Sequence, residues 1–378
     1  MSSLFLIGTT ASNLYLFRKD FILSCRQRGI IVYTLISEYN DEWIEKIKSL
    51  DAQVLTYNLS RAGLNPLSDI KSMLEIKNYI KQYQPDLVFS FFTKPVIYGS
   101  LAAKLAGVSN IVGMIEGLGS PFTEHPNGQS FKMKLVQFFQ VSLYRVVFPF
   151  LNKIIFLNND DPKDLIISKK IYHRKDSIHV LGGIGLKLED YPYSLWDTTS
   201  NISFVIIGRL LVEKGIYEYL AAAKIVKLKY PNTSFKVIGA LDTQNPSGLT
   251  QQELNQVIQS GIIEYKDFTN QIAEELKNTS VFVLPSYREG VPRSTQEAMA
   301  IGRPVITTDV PGCRDTVKDG INGFLIPKWD VQTLANKMIY FIENPEQINI
   351  MGQQSYLIAQ KKFDVIKVNK KLLSILNI

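Results

Sequence analysis

The sequence is poor in the residues on which disulfide, metal and redox chemistry depend. Its 378 residues include two cysteines, Cys25 and Cys313, and three histidines, His125, His173 and His179. Two cysteines cannot build a disulfide framework and suit a reducing compartment. Scattered histidines without an H-E-x-x-H pair make no zinc site. No stretch reaches the roughly 18 unbroken apolar residues of a membrane span. The amino-terminal apolar run covers only residues 4–7 and has no basic flank, so it reads as a first strand rather than a signal peptide. Cytoplasmic residence is the expectation. The chain has no G-x-x-x-x-G-K-[ST] loop and no G-x-S-x-G elbow. Gly117-Leu118-Gly119 and Gly183-Ile184-Gly185 lack the third glycine of a dinucleotide fingerprint. The commonest alternative chemistries of α/β proteins are thereby removed.

What is present is a soluble globular composition, 46% hydrophobic and 20% charged, which rules out wholesale disorder. The length suits two domains. The net charge of +7 is uneven: residues 1–185 carry 21 Lys/Arg against 15 Asp/Glu, and the rest carry 21 against 20. A basic first half suits nucleic acid, an anionic membrane or phosphorylated substrates, and equally suits surface lysine used for solubility.

Short apolar runs at 4–7, 30–36, 53–57, 87–90, 110–114 and 153–157 alternate with helical patterns such as 13–28, 69–83 and 96–106. Strands separated by helices mean βαβ units and a parallel sheet. The pattern restarts with runs at 202–207, 235–238, 281–284 and 304–307, separated by helices at 215–229, 250–259 and 294–301. Residues 181–200, with three glycines and a proline, read as the linker. The fold class is α/β, with two Rossmann-like domains facing a cleft, 1–185 and 186–378.

Residues 131–151 are apolar but broken by Lys132, Lys134, Gln137, Gln140 and Arg145. On a helix Lys134, Gln137, Val141 and Arg145 share a strip, with Val136, Phe139, Leu143 and Val147 opposite. That pattern suits a helix lying in a membrane interface and also a helix packed on a core.

Two segments carry chemistry. Gly208–Gly215 follows a strand, so Arg209 and Lys214 fall at the carboxyl edge of a sheet, where α/β folds bind ligands and two cations suit a diphosphate. Residues 285–305 run from the next strand into a helix that opens near Ser294, and a helix N-terminus favours an anion. Glu289 and Glu297 would repel a phosphate and are better suited to accept from the hydroxyls of a vicinal diol. Ser294-x-x-Glu297 also has the spacing of a capping box.

Taken together, Gly208-Arg209-x-x-x-Glu213-Lys214-Gly215, Glu289-Gly290-x-Pro292, Glu297-Ala298-Met299-Ala300, Gly302-x-Pro304-Val305, Thr308-Asp309 and Asp319-Gly320-x-Asn322-Gly323-Phe324 resemble retaining glycosyltransferases of family 4, which have the GT-B fold. Ser60-Arg61-Ala62-x-Leu64-Asn65-Pro66 and Glu116-Gly117-Leu118-Gly119-Ser120 are similar to bacterial enzymes of that family that extend undecaprenyl-diphosphate-linked sugars, such as N-acetylgalactosaminyltransferases. The resemblance implies that Arg209 and Lys214 neutralise the donor diphosphate, that Glu297 holds the ribose hydroxyls, and that Glu289 contacts the donor sugar with Gly290, Val291 and Pro292 beside it. Gly8 matches the loop that approaches the diphosphate from the first domain. Glu116 stands where many members carry a histidine near the transferring sugar, and a structural carboxylate in the turn fits that position equally.

The implied reaction moves an α-linked sugar, N-acetylgalactosamine or another hexose, from a UDP-sugar to a lipid-linked saccharide in surface polysaccharide or glycan synthesis. It needs no cofactor and no obligatory metal. The implied partners are the donor, the acceptor and an anionic membrane surface met by Lys132, Lys134 and Arg145 from the cytoplasmic side, with no nucleic acid. The implied division is an acceptor-binding first domain and a nucleotide-sugar-binding second domain, with the last helix packed back on the first. A sugar-nucleotide epimerase shares the fold but needs acid/base groups that the few histidines do not supply. A non-catalytic subunit would be expected to lack Arg209, Lys214 or Glu289.

Overall fold

A computed structural model describes residues 3–37, 40–59, 65–242, 245 and 247–378. Ser60 to Leu64, part of one motif singled out above, lie outside the described residues. The chain divides into two compact units. The first comprises Met1–Leu118, Phe131–Ile184 and Val365–Ile378; the second comprises Gly119–Ser130 and Gly185–Asp364.

In the first unit, seven strands form one all-parallel sheet: β1 (Ser3–Ile7), β2 (Ile31–Ile36), β3 (Gln53–Thr56), β4 (Leu87–Phe91), β5 (Ile111–Ile115), β6 (Lys153–Phe156) and β7 (Ile178–Val180), in the order β3-β2-β1-β4-β5-β6-β7. Every residue of β1, β4 and β5 is buried. That explains their unalternating apolar sequences, because helices cover both faces of a parallel sheet. The strand order reverses between β1 and β4, which puts a crevice at their carboxyl ends. The helix Ala11–Arg26 opens there, capped by Thr10 Oγ1, which accepts from Asn13 N at 3.2 Å. The helix Val365–Leu376 completes the unit. Val368, Leu372, Leu373 and Leu376 are buried, and Lys371 Nζ donates to the Leu181 carbonyl at 3.0 Å.

The second unit repeats the plan with β8 (Ser203–Ile207), β9 (Ser234–Ile238), β10 (Glu264–Lys266), β11 (Val281–Leu284), β12 (Val305–Thr308) and β13 (Gly323–Ile326), all parallel, in the order β10-β9-β8-β11-β12-β13. Its switch point lies between β8 and β11. Much of the stretch read as a linker is bound to this unit. Leu186 N donates to the Phe363 carbonyl at 2.8 Å, Trp196 is buried, and Trp196 N donates to Asn349 Oδ1 at 2.9 Å.

β7, β10 and β13 carried no signal above. β7 and β10 are three-residue edge strands, Ile-His-Val and Glu-Tyr-Lys, half-exposed and without an apolar run. β13 begins on a glycine, which weakens any strand pattern.

Candidate active site

At the carboxyl ends of β8 and β11 two loops converge. Gly215 makes the approach possible. It has φ +73°, and a Cβ there would lie 2.1 Å from the Pro285 carbonyl oxygen, so only glycine lets the loops touch. Arg209, just past β8, is largely exposed, and its Nη1 meets Asp242 Oδ2 at 2.9 Å. Lys214 is drawn inward: its Nζ lies 2.5 Å from Glu289 Oε1. The Ser286 hydroxyl donates to the same oxygen at 2.8 Å. Gly208, Arg209, Leu210 and Lys214 line the sheet edge beside them, at the ends of β8 and β11. Arg209, Lys214 and Glu289 thus come from loops at one sheet edge. The sequence did not reveal that Lys214 and Glu289 are already paired.

The loop 289–292 is held rigidly. Glu289 N donates to the Pro311 carbonyl at 3.0 Å, and Gln296 Nε2 donates to the Val291 carbonyl at 3.1 Å. Pro292 is the N-cap of the helix Arg293–Ile301, and no side chain caps it. The Ser294-x-x-Glu297 capping box is therefore not formed: Ser294 lies inside the first turn, where its backbone N–H is not the one a capping glutamate reaches. Glu297 has other partners. Its Oε1 accepts from the Tyr191 hydroxyl at 2.8 Å and from Arg293 Nε at 3.0 Å. Arg293 is itself anchored through Nη1 to the Gly185 carbonyl at 2.8 Å. Burial, reinforced by the Glu297 charge, pushes the Tyr191 phenol well above its ordinary pKa, so it stays a donor.

In the first unit, Gly8 ends β1 against Phe91. A Cβ there would lie 2.5 Å from the Phe91 ring, and the Tyr57 hydroxyl donates to the Gly8 carbonyl at 2.5 Å. Glu116 ends β5 and is ion-paired to Arg18, whose guanidinium lies 5.0 Å from the Phe91 ring centroid. Burial raises the Glu116 carboxyl while Arg18 draws it down. The segment Gly119–Ser130, part of the second unit, places the His125 ring edge-on to Tyr287, with Nε2 4.0 Å from Glu213 Oε1. Among the described residues no group of three or more His, Cys, Asp or Glu could hold a metal ion.

The sequence matches the family described as Glycosyl transferases group 1 over residues 194–357, and Glycosyl transferase 4-like over residues 4–158. The chain belongs to the family of group 1 and 4-like glycosyltransferases. This glycosyltransferase is 29% identical to the N,N'-diacetylbacillosaminyl-diphospho-undecaprenol alpha-1,3-N-acetylgalactosaminyltransferase of Campylobacter jejuni, over 89% of each chain. It is 25% identical to the UDP-Gal:alpha-D-GlcNAc-diphosphoundecaprenol alpha-1,3-galactosyltransferase of Escherichia coli, over 92% of its own length and 86% of that protein. Among solved structures it is similar to Anabaena Alr3699/HepE in complex with UDP and glucose, with TM-score 0.78, 18% identity and full coverage of both chains. That likeness shows the fold, the GT-B architecture of two Rossmann-like domains.

Elsewhere the structure corrects one expectation. The glycosyltransferase's helix Phe131–Val147 does not present Phe139, Leu143, Val147 and Val136 as a common exposed face. Val147 is buried, Leu143 and Val136 are half-buried, and Val141, read as part of a basic strip, is buried too. The outward apolar residues are Phe131, Leu135, Phe138, Phe139 and Val146, with Lys132, Lys134 and Arg145 exposed beside them. Tracing one helical face by four residues at a time misplaced the buried side. Tyr191, Arg293, Ser286 and Arg18 went unnoticed. Arg293 was within reach, four residues before Glu297. Tyr191 and Arg18 act across 106 and 98 residues, which no local spacing reveals.

Proposed function

We propose that this glycosyltransferase moves a sugar, with retention, from a UDP-sugar to an undecaprenyl-diphosphate-linked saccharide in the synthesis of a bacterial surface polysaccharide or glycan. The observation that carries the donor half is the convergence of Arg209 and Lys214 at the carboxyl end of β8 with Glu289 from the loop after β11. The acceptor half is supported by the two relatives, whose names specify diphospho-undecaprenol-linked acceptors.

In this reading the bond from the anomeric carbon to the diphosphate oxygen breaks as the bond to an acceptor hydroxyl forms on the same face. The acceptor proton passes to the leaving phosphate oxygen. Arg209 and Lys214 stabilise the charge that develops on the diphosphate and supply what a metal would otherwise supply, so none is obligatory. Lys214 must swing part of its interaction from Glu289 to the diphosphate. That leaves Glu289 able to accept from a sugar hydroxyl while Ser286 and the backbone hold it in place. Glu297 accepts from the ribose diol, aimed by Tyr191 and Arg293. In the first unit, Gly8 leaves the backbone at the end of β1 uncovered by any side chain, since a Cβ there would strike Phe91. Glu116, already paired with Arg18, orders the turn after β5.

No helix among the described residues is long and apolar enough to cross a membrane. The enzyme in this reading is peripheral, at the inner face of the membrane that carries its acceptor. The test is a panel of UDP- and GDP-sugars with a short-chain lipid diphosphate saccharide, read by mass spectrometry and by the anomeric configuration of the product. Transfer from a UDP-sugar with retention is expected. Inversion, strict dependence on a divalent ion, or transfer only from GDP-sugars would refute it.

A further inference from the structure

The helix Phe131–Val147 packs inward through Gln140, Val141, Tyr144 and Val147, and the apolar side chains of its outer side are exposed. Phe131, Leu135, Phe138 and Val146 recur there at helical spacing, with Phe139 alongside. Phe131 is 82% exposed and Phe138 is 61% exposed. Lys134 and Arg145 border this strip on one side and Lys132 on the other. The sequence has no acidic residue between Glu124 and Asp160.

A second element continues the surface. Arg145 Nη2 donates to the Lys169 carbonyl at 2.8 Å, and Arg174 Nε donates to the Pro149 carbonyl at 3.3 Å. These bonds tie residues 167–175 to Arg145 on the cationic border of the helix and to the turn that follows it. That segment holds Lys169, Lys170, Arg174 and Lys175, and there is no acid between Asp164 and Asp176. Its apolar Ile167 is 70% exposed and its Tyr172 is 72% exposed.

We propose that the Phe131–Val147 helix and residues 167–175 form a single binding surface for anionic phospholipid, in which the helix supplies the inserting side chains and the segment supplies most of the headgroup contacts. The inference rests on the peripheral position of the enzyme argued above and extends it to a second element. The chemistry selects a bilayer. Phenylalanine, leucine and isoleucine gain by entering the acyl boundary, tyrosine sits at the level of the headgroups, and lysine stems reach outward from an apolar strip with their charges in the polar layer. Cations on both borders without an intervening acid complement a phosphodiester layer, and each adds attraction to anionic lipid.

The experiment is flotation with vesicles of phosphatidylcholine alone or mixed with phosphatidylglycerol, at low and high salt. Wild type is expected to prefer the mixed vesicles and to lose that preference in salt. Lys170→Gln with Lys175→Gln is expected to lower partitioning to mixed vesicles about 25-fold, at about fivefold per cation. Lys224→Gln with Lys361→Gln, an equal charge change on the second unit, is expected to leave it unaltered. Phe138→Ser is expected to weaken binding to both vesicle types. All are exposed positions, and melting curves check that the fold persists. Wild-type partitioning in the Lys170/Lys175 variant, or no preference for phosphatidylglycerol in the wild type, would overturn the proposal. Turnover on a short-chain soluble acceptor separates the two readings. If it is absent with every donor while flotation behaves as expected, the functional assignment fails and the lipid surface stands.

Discussion

Replacing Glu297 by glutamine changes one atom and asks which oxygen does the work. Both donors that reach this side chain, the Tyr191 hydroxyl and Arg293 Nε, converge on Oε1. A glutamine can keep its oxygen at that position, so both bonds survive. The NH₂ then replaces Oε2, the oxygen that in the proposed function accepts from a ribose hydroxyl. A hydrogen bond to a charged group contributes about 1.5–3 kcal/mol, so affinity for UDP and the donor KM should worsen about 10- to 150-fold. The fold should barely notice. Glutamine keeps both hydrogen bonds of this part-buried site, so the melting temperature should change little. The assay is calorimetric titration with UDP beside a melting curve. Tyr191→Phe serves as the control. It removes a bond to Oε1 while leaving Oε2 unchanged, and should reduce donor affinity less than the glutamine does. UDP affinity unchanged in Glu297→Gln, with normal melting, would refute the ribose assignment.

Other outcomes are equally definite. Lys214→Ala or Arg209→Ala should lower transfer at least about a hundredfold with the fold intact, because a lost preorganised charge contact costs about 2.7–4 kcal/mol at the transition state; activity within threefold of wild type in both would remove them from the diphosphate site. Burial raises the Glu116 carboxyl and Arg18 offsets only part of that, so Arg18→Met should raise it further; if Glu116 acts as a carboxylate the acid limb of the rate profile should move to higher pH, and an unmoved limb would confine Glu116 to structure. Gly215→Ala should destabilise the second unit by more than about 1 kcal/mol, read by denaturant unfolding, since it has a left-handed φ and would press a methyl on the Pro285 carbonyl. Burial pushes the Cys25 and Cys313 thiols up to about 12, so at pH 8 neither should react with a thiol reagent until the protein is unfolded; fast labelling of the native chain would contradict their burial.

Much of this architecture was legible because parallel strands buried on both faces announce themselves as apolar runs. β1, β4, β5, β8, β11 and β12 fall within a residue or so of where those runs lie. Two edge strands were illegible for the opposite reason: Ile178–Val180 and Glu264–Lys266 are held in place by one neighbour and need no apolar run of their own. The loops after β8 and β11 could be recognised because glycines and charges sit at fixed distances from strand ends. What sequence cannot report is how a charge is spent once the chain has folded. Lys214 faces Glu289, Glu116 faces Arg18, and Glu297 is steered by a tyrosine from the stretch read as linker. The exposed face of the Phe131–Val147 helix depended on which side meets the core, and that is decided by tertiary packing.

The return of the last helix to the first unit sets an order of events on the ribosome. Residues 1–184 can form a seven-stranded sheet early, yet the helix Val365–Leu376, which packs beside the helix Ala11–Arg26 and buries its own Val368, Leu372 and Leu373, arrives only after Gly185–Asp364 has been made. At about 5–20 residues per second, those roughly 180 residues take about 10–35 s. For that interval the first unit carries an uncovered apolar patch while the second completes itself. A chain stopped at Asp364 would therefore leave the second unit whole and the first unsealed, so damage to the helix Val365–Leu376 would be felt in the unit made first.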